Sequence, residues 1–211
     1  MQPQQVVRVD PFTQVIDDRV LVGVELQEYE PIKVDGRVVY HVVGRTIRIF
    51  DQAVKASWIK TGDSTYRTSI YYNPVAEGVA HPVSCILVPT VKAKEPSAFP
   101  RQPQDPLGVE SCWLSKNGKY LNLGLLMKNG RDSEGDETTH AISLVLDGTR
   151  QNSNNTVTAC YRLLHDKRDA PEYYTNRRHI SILLPTSNRP DSVELTIKTY
   201  TGNWTKTIRV K

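Results

Sequence analysis

Leucine at every second position in Tyr120-Leu121-Asn122-Leu123-Gly124-Leu125 limits what this chain can fold into more than any other feature. Side chains alternate faces along an extended strand but repeat every 3.6 residues along a helix. A period of two with small or polar residues between is therefore a strand with one buried face. Ile142, Leu144 and Leu146 repeat the pattern around Ser143. Segments 118–127 and 139–147 are read as a central hairpin sharing the acidic, glycine-containing turn 128–138.

The same period returns in Val157, Ala159, Tyr161 and Leu163, in Ile180, Ile182 and Leu184, and in Val193, Leu195 and Ile197. Further strands are expected at 109–114 and 206–210, with Asn117-Gly118 as a hairpin signal. About seven short alternating strands with polar turns are what a two-sheet sandwich of immunoglobulin type requires. In the first half, residues 20–24 are apolar almost throughout, which suits the inside of a small barrel. Asp35-Gly36 is a turn, and strands follow at 38–43, 46–50, 66–72 (ended by Asn73-Pro74) and 82–91. A helix is conceivable only at 51–60, where ten residues with no continuing apolar repeat give two or three turns.

Between the halves, Pro96, Pro100, Pro103 and Pro106 fall within residues 92–106. Proline has no N–H to give a ladder and favours extended polyproline conformation, so this stretch reads as an interdomain linker. The expected fold is all-β: an OB-like barrel at 1–91, the linker at 92–106 and an immunoglobulin-like β-sandwich at 107–211. At 211 residues with 38% hydrophobic content, two cores of ordinary domain size are within reach.

Charge points to no polyanion. Through Pro103 there are 12 cationic and 11 acidic side chains, and beyond it 15 and 12, so neither half is a basic module. Cys85, Cys112 and Cys160 are scattered and odd in number, which gives neither a disulfide framework nor a CxxC metal knuckle. Each reads as a small buried hydrophobe, with one interdomain or intermolecular disulfide as the alternative. No run approaches the ~20 apolar residues of a membrane helix, and the opening Met1-Gln2-Pro3-Gln4-Gln5 has no signal-peptide character.

Neither nucleophile elbow, phosphate loop nor zinc-protease motif occurs, so no catalytic residue, metal or cofactor is expected. The acidic turn at 132–137 lacks EF-hand spacing, because the twelfth position from Asp132 is Ser143, and it reads as a solvated tip. His165-Asp166 would be a metal site only if His140 and His179 converged on it, whereas adjacent strand residues point to opposite faces. Asn154-Asn155-Thr156 and Asn203-Trp204-Thr205 match the glycosylation triplet and are read as turns. The candidate ligand-binding group is Trp58, Tyr66, Arg67, Tyr71 and Tyr72, with Lys60. Aromatic rings among cations on a small barrel can stack sugars or unpaired bases.

The succession 119–125, 140–147, 161–165, 180–182 and 191–197 resembles the C-terminal sandwich of NigD-like proteins, and Asp18-Arg19-Val20-Leu21-Val22 is similar to an early strand of their OB-type barrel. The resemblance implies a non-catalytic protein of the bacterial cell envelope, exported and lipid-anchored through a leader that these residues do not include. Its expected partner is a glycan or an envelope or bacteriocin protein. Bacteriocin immunity is the alternative role, and single-stranded nucleic-acid binding by the barrel the remoter one, disfavoured by the near-neutral first half.

Overall fold

The computed structural model describes residues 81–115, 118–131 and 139–210, the side chains of 82 and 85 excepted. Earlier it describes strand backbone between 24 and 80, with Ser57 and Arg67. The chain divides into two compact units, Met1–Pro89 and Thr90–Lys211. All regular structure among the described residues is β, apart from one short 3-10 turn, η1 (Pro96–Ala98).

In the first unit, β1 (Val24–Glu25), β2 (Ile32–Val34), β3 (Arg37–Tyr40), β4 (Arg48–Phe50), β5 (Arg67–Ala76) and β6 (Val79–Leu87) form one sheet in the order β1-β5-β6-β4-β3-β2. β4 and β6 are parallel and the other pairs antiparallel. Contrary to expectation, β5 does not stop at Asn73-Pro74. It runs through Pro74, opposite Ala80, where a register shift accommodates a residue with no ladder donor. Of the possible helix at 51–60 only Ser57, in a turn, is described, and the turn at 132–137 lies outside the described residues.

The second unit contains β7 (Thr90–Lys94), β8 (Gly108–Leu114), β9 (Tyr120–Asn129), β10 (Ala141–Gln151), β11 (Val157–Asp166), β12 (Tyr174–Leu183), β13 (Ser192–Thr199) and β14 (Gly202–Arg209). They form one sheet ordered β14-β13-β11-β10-β7-β12-β9-β8. It curls until its edges meet: Lys206 Nζ, on edge strand β14, donates to the Cys112 carbonyl on edge strand β8 at 2.9 Å. The sheet is barrel-like and nearly closed. A lysine on an edge strand also discourages pairing with another chain.

The second unit departs from the sequence expectation in three places. The segments at 118–127 and 139–147 are strands but not a hairpin, because β7 and β12 lie between β9 and β10. β9 pairs with β8 and β12, and β10 with β11 and β7. Secondly, residues 92–94 are not linker. β7 runs parallel to both neighbours, its first three residues pairing with β12 and its last two with β10, and the expected strand at 82–91 divides accordingly between β6 and β7. Thirdly, Asn203-Trp204-Thr205 is strand, paired with residues 196–198, whereas Asn154-Asn155-Thr156 is a turn with Asn155 at φ 60.

The alternating residues do build the core. Leu121, Leu123, Leu125, Leu144, Leu163, Ile180, Ile182, Leu184, Val193, Leu195 and Ile197 are all buried, each contributing roughly 1.5–3 kcal/mol of apolar transfer. β9 is buried on its other face too, at Tyr120, Asn122 and Gly124, and Ser181 Oγ donates to Asn122 Oδ1 at 2.9 Å so that a polar pair is tolerated there. Cys112 and Cys160 are free thiols, and burial pushes the Cys112 thiol up to about 11.

Candidate functional site

Antiparallel pairing brings the end of β9, the start of β12, the end of β11 and the start of β10 to one end of the sheet. The turn between β13 and β14 joins them, since Lys128 on β9 places its Nζ 4.8 Å from the centre of the Tyr200 ring. Lys128 also pairs with Glu172 at 3.3 Å, and Glu172 receives Lys167 Nζ at 3.0 Å. Hydrogen bonds from Lys167 and then Lys128 hold the Glu172 carboxyl below its usual range. Partial burial, followed by the charge of Glu172, pushes the Tyr200 hydroxyl up, while Lys128 and Lys167 act against both.

Tyr173 stands beside this array with 80% of its surface exposed, and Tyr174 and Tyr200 are exposed as well. The backbone presents Tyr173 firmly: its N–H donates to the Asn129 carbonyl at 3.0 Å. A side chain at Gly130 would strike Pro171 and the Tyr173 ring, so only glycine lets this loop lie so close. The preceding turn is strained. Arg168 and Asp169 have φ of 49° and 61°, and Ala170 N–H closes on the Lys167 carbonyl at 2.9 Å. Two successive non-glycine residues in the left-handed region are costly, and such strain concentrates at functional loops. Rings with one polar edge, set among fixed cations and a carboxylate, suit stacking on a sugar or burial in a protein interface.

Beside this surface is a histidine pair. His165 is 4% exposed, and its Nε2 lies 2.8 Å from His140 Nδ1, the two rings meeting edge to edge with planes 18° apart and centres 5.0 Å apart. The convergence on His165 considered for a metal is therefore half realised. His179 instead sits opposite Gly124 on the face of β12 away from the core. Two imidazole nitrogens on one zinc stand about 3.3 Å apart, from two ~2.05 Å bonds at a tetrahedral angle. At 2.8 Å these two are bonded to each other. Among the described residues no group of three or more His, Cys, Asp or Glu side chains could hold a metal ion.

Of the sequence candidates, Trp58 and Tyr66 lie outside the described residues, as do the side chains of Tyr71 and Tyr72. Arg67, Tyr71 and Tyr72 share β5, with a register shift between the two tyrosines, and Arg67 is half-buried at its start. Tyr173, Tyr174 and Tyr200 were missed. One signal was available: two adjacent tyrosines entering an alternating strand cannot both face the core.

No family model matches the chain, and no curated protein matches its sequence. Solved structures do match. A NigD-like immunity protein from Bacteroides caccae superposes with a TM-score of 0.61 at 21% identity, over 89% of each chain. This chain shares its fold. A protein of unknown function, DUF1344, from Bacteroides vulgatus gives a TM-score of 0.63 at 13% identity over 90% of this chain and 89% of that one. A candidate lipoprotein from Bacteroides fragilis gives 0.59 at 13% identity over 90% and 96%. At these identities the likeness to NigD-like and related proteins is one of fold.

Proposed function

We propose that this chain is a non-catalytic binding protein of the bacterial cell envelope, anchored by lipid in its full-length form. We read its two units as an OB-type barrel and an immunoglobulin-like sandwich whose layers meet at β7. The observation that carries the reading is the fold shared over about nine-tenths of the chain with a NigD-like immunity protein and a candidate lipoprotein. The described polar groups support binding over catalysis, since Glu172 is held between two lysines and both ring nitrogens of His165 are engaged. The ligand is a glycan or a protein of the envelope, met by Tyr173, Tyr174 and Tyr200, with the face around Trp58, Tyr66, Arg67, Tyr71 and Tyr72 as a second surface. Nucleic acid is not a partner. Immunity, by sequestering a bacteriocin, is the second reading, favoured by the neighbour from Bacteroides caccae.

The test has two arms. The full-length gene product, tagged at its C-terminus and expressed in a Gram-negative host, should partition with membranes and incorporate labelled fatty acid; recovery in the cytoplasmic fraction would remove the envelope assignment. The purified chain is then screened against envelope glycans and by cross-linking on cells. Tyr173→Ala combined with Tyr200→Ala should weaken the captured interaction at least tenfold, and undiminished binding by the folded double variant would show that this surface is not the one used.

A further inference from the structure

Residues 95–107 are bonded along the sheet as a strap. η1 packs against β10, and Arg162, in a two-pronged pair with Asp147, also donates to Gln102 Oε1 at 2.9 Å. The strap then fills the edge of β11 that β13 leaves after Arg162↔Thr196. There His165 N–H donates to the Pro103 carbonyl at 3.2 Å, Asp105 N–H donates to the His165 carbonyl at 2.9 Å, and Leu107 N–H reaches the Lys198 carbonyl on β13. Asp105 Oδ2 accepts the Lys167 N–H at 2.9 Å.

The side chain of His165 completes the attachment, and its protonation follows from its partners. Its Nδ1 faces the Asp105 carbonyl oxygen at 2.9 Å, an atom that can only accept, so Nδ1 carries hydrogen. Nε2 of the neutral ring is then a bare lone pair, and the hydrogen in the 2.8 Å contact comes from His140 Nδ1. Neutral His140 is left with a bare Nε2, buried and without a hydrogen-bond partner among the described residues. The relay thus points one way, from His140 through His165 to the strap.

We infer that the His140–His165 pair is an acid-operated latch that holds this strap on β11 at neutral pH and releases it when the pair takes up protons. A first proton can enter only at His140 Nε2, wherever the shared hydrogen sits, and it creates a charged, buried N–H that finds no acceptor among the described residues. Among the described residues, Arg178 from β12 and Lys167 from the turn after β11 repel it, and Asp105 on the strap attracts it. A second proton would set two N–H groups against each other across 2.8 Å, so the rings must part. Because the His165 backbone carries two of the strap's bonds, a displaced ring loosens residues 103–105 together. Burial first, then the neighbouring His165, accordingly holds His140 below the usual histidine range.

Hydrogen exchange by mass spectrometry on the full chain at pH 7.5, 6.0 and 5.0, corrected for the chemical exchange rate, tests the latch. Protection of peptides spanning 95–107 should fall about tenfold per pH unit for each proton taken up, while peptides from β13 hold theirs. His140→Asn keeps an N–H donor where Nδ1 was but cannot titrate, so its strap protection should be flat over the same range. Constant strap protection in the wild type, or a wild-type pH response in H140N, overturns the proposal. Should H140N fail to fold, the nitrogen shifts of the wild-type rings decide: the latch requires His165 protonated at Nδ1 and coupled uptake by the pair, and two independent ordinary titrations overturn it.

Discussion

Gly124→Ala tests how β8 crosses β9. Glu110 is an extra residue in β8, unpaired between Val109↔Leu125 and Ser111↔Gly124, and this bulge drives the Ser111 side chain down onto Gly124. A methyl group at position 124 would overlap Ser111 Oγ, with Glu110 Oε2 at 3.4 Å and His179 Cδ2 at 3.7 Å leaving little room to turn aside. In an open strand the same change would stabilise by about 0.5–1 kcal/mol, because glycine loses more freedom on folding. Overpacking of a close-fitted site costs about 1–3 kcal/mol. The difference leaves G124A destabilised by roughly 1–2 kcal/mol, or some 2–8 °C in melting temperature for a chain of this size. Urea unfolding of wild type, G124A, S111G and the double variant measures it, and S111G should recover most of the loss because the overlapping atom is gone. If G124A proves as stable as the wild type, or the two changes are additive, the bulge is not what demands glycine here.

Arg162→Ala removes the two-pronged bond to Asp147 and the bond to Gln102; as a half-exposed pair it should cost about 1 kcal/mol, seen as faster proteolysis within 95–107 while the rest of the second unit stays resistant. His140 titrates below its ordinary 6.5, so just under that pH the unfolded chain binds more protons than the folded one. Stability from the neutral pair is full above 6.5 and lost as pH falls through the depressed folded value; urea midpoints at pH 7.5, 6 and 5 should decline in wild type and much less in H140N. Glu172 and Glu194, held low by hydrogen bonds from Lys167 and Arg150, lose their contribution only below their ordinary 4.5, which separates the two effects. Replacing Arg168-Asp169 by Asn-Gly, the pair preferred where both central residues have positive φ, should raise stability by about 1 kcal/mol in a thermal melt, and an unchanged melt would show that the turn is not strained.

The sequence by itself determined which side chains turn inward. Leu121, Leu123 and Leu125, Ile180 and Ile182, and Val193, Leu195 and Ile197 lie in the core as their period of two requires, because each strand's pleat decides its own faces. Which strand lies beside which was decided only by the tertiary structure. Pairing is long-range, and an apolar face is satisfied by any neighbour that completes the core. β9 and β10 could therefore look like a hairpin while β7 and β12 separate them. The proline segment misled for a related reason: prolines give no ladder donors, yet their carbonyls accept, and Pro103 uses its own to take the His165 N–H. The histidine pair shows the boundary most clearly. His140 lies two residues before Ile142 and His165 two after Leu163, so parity puts both on inner faces. Only the register Ile142↔His165 brings rings 25 positions apart in sequence to 2.8 Å, and register is a property of the assembled sheet.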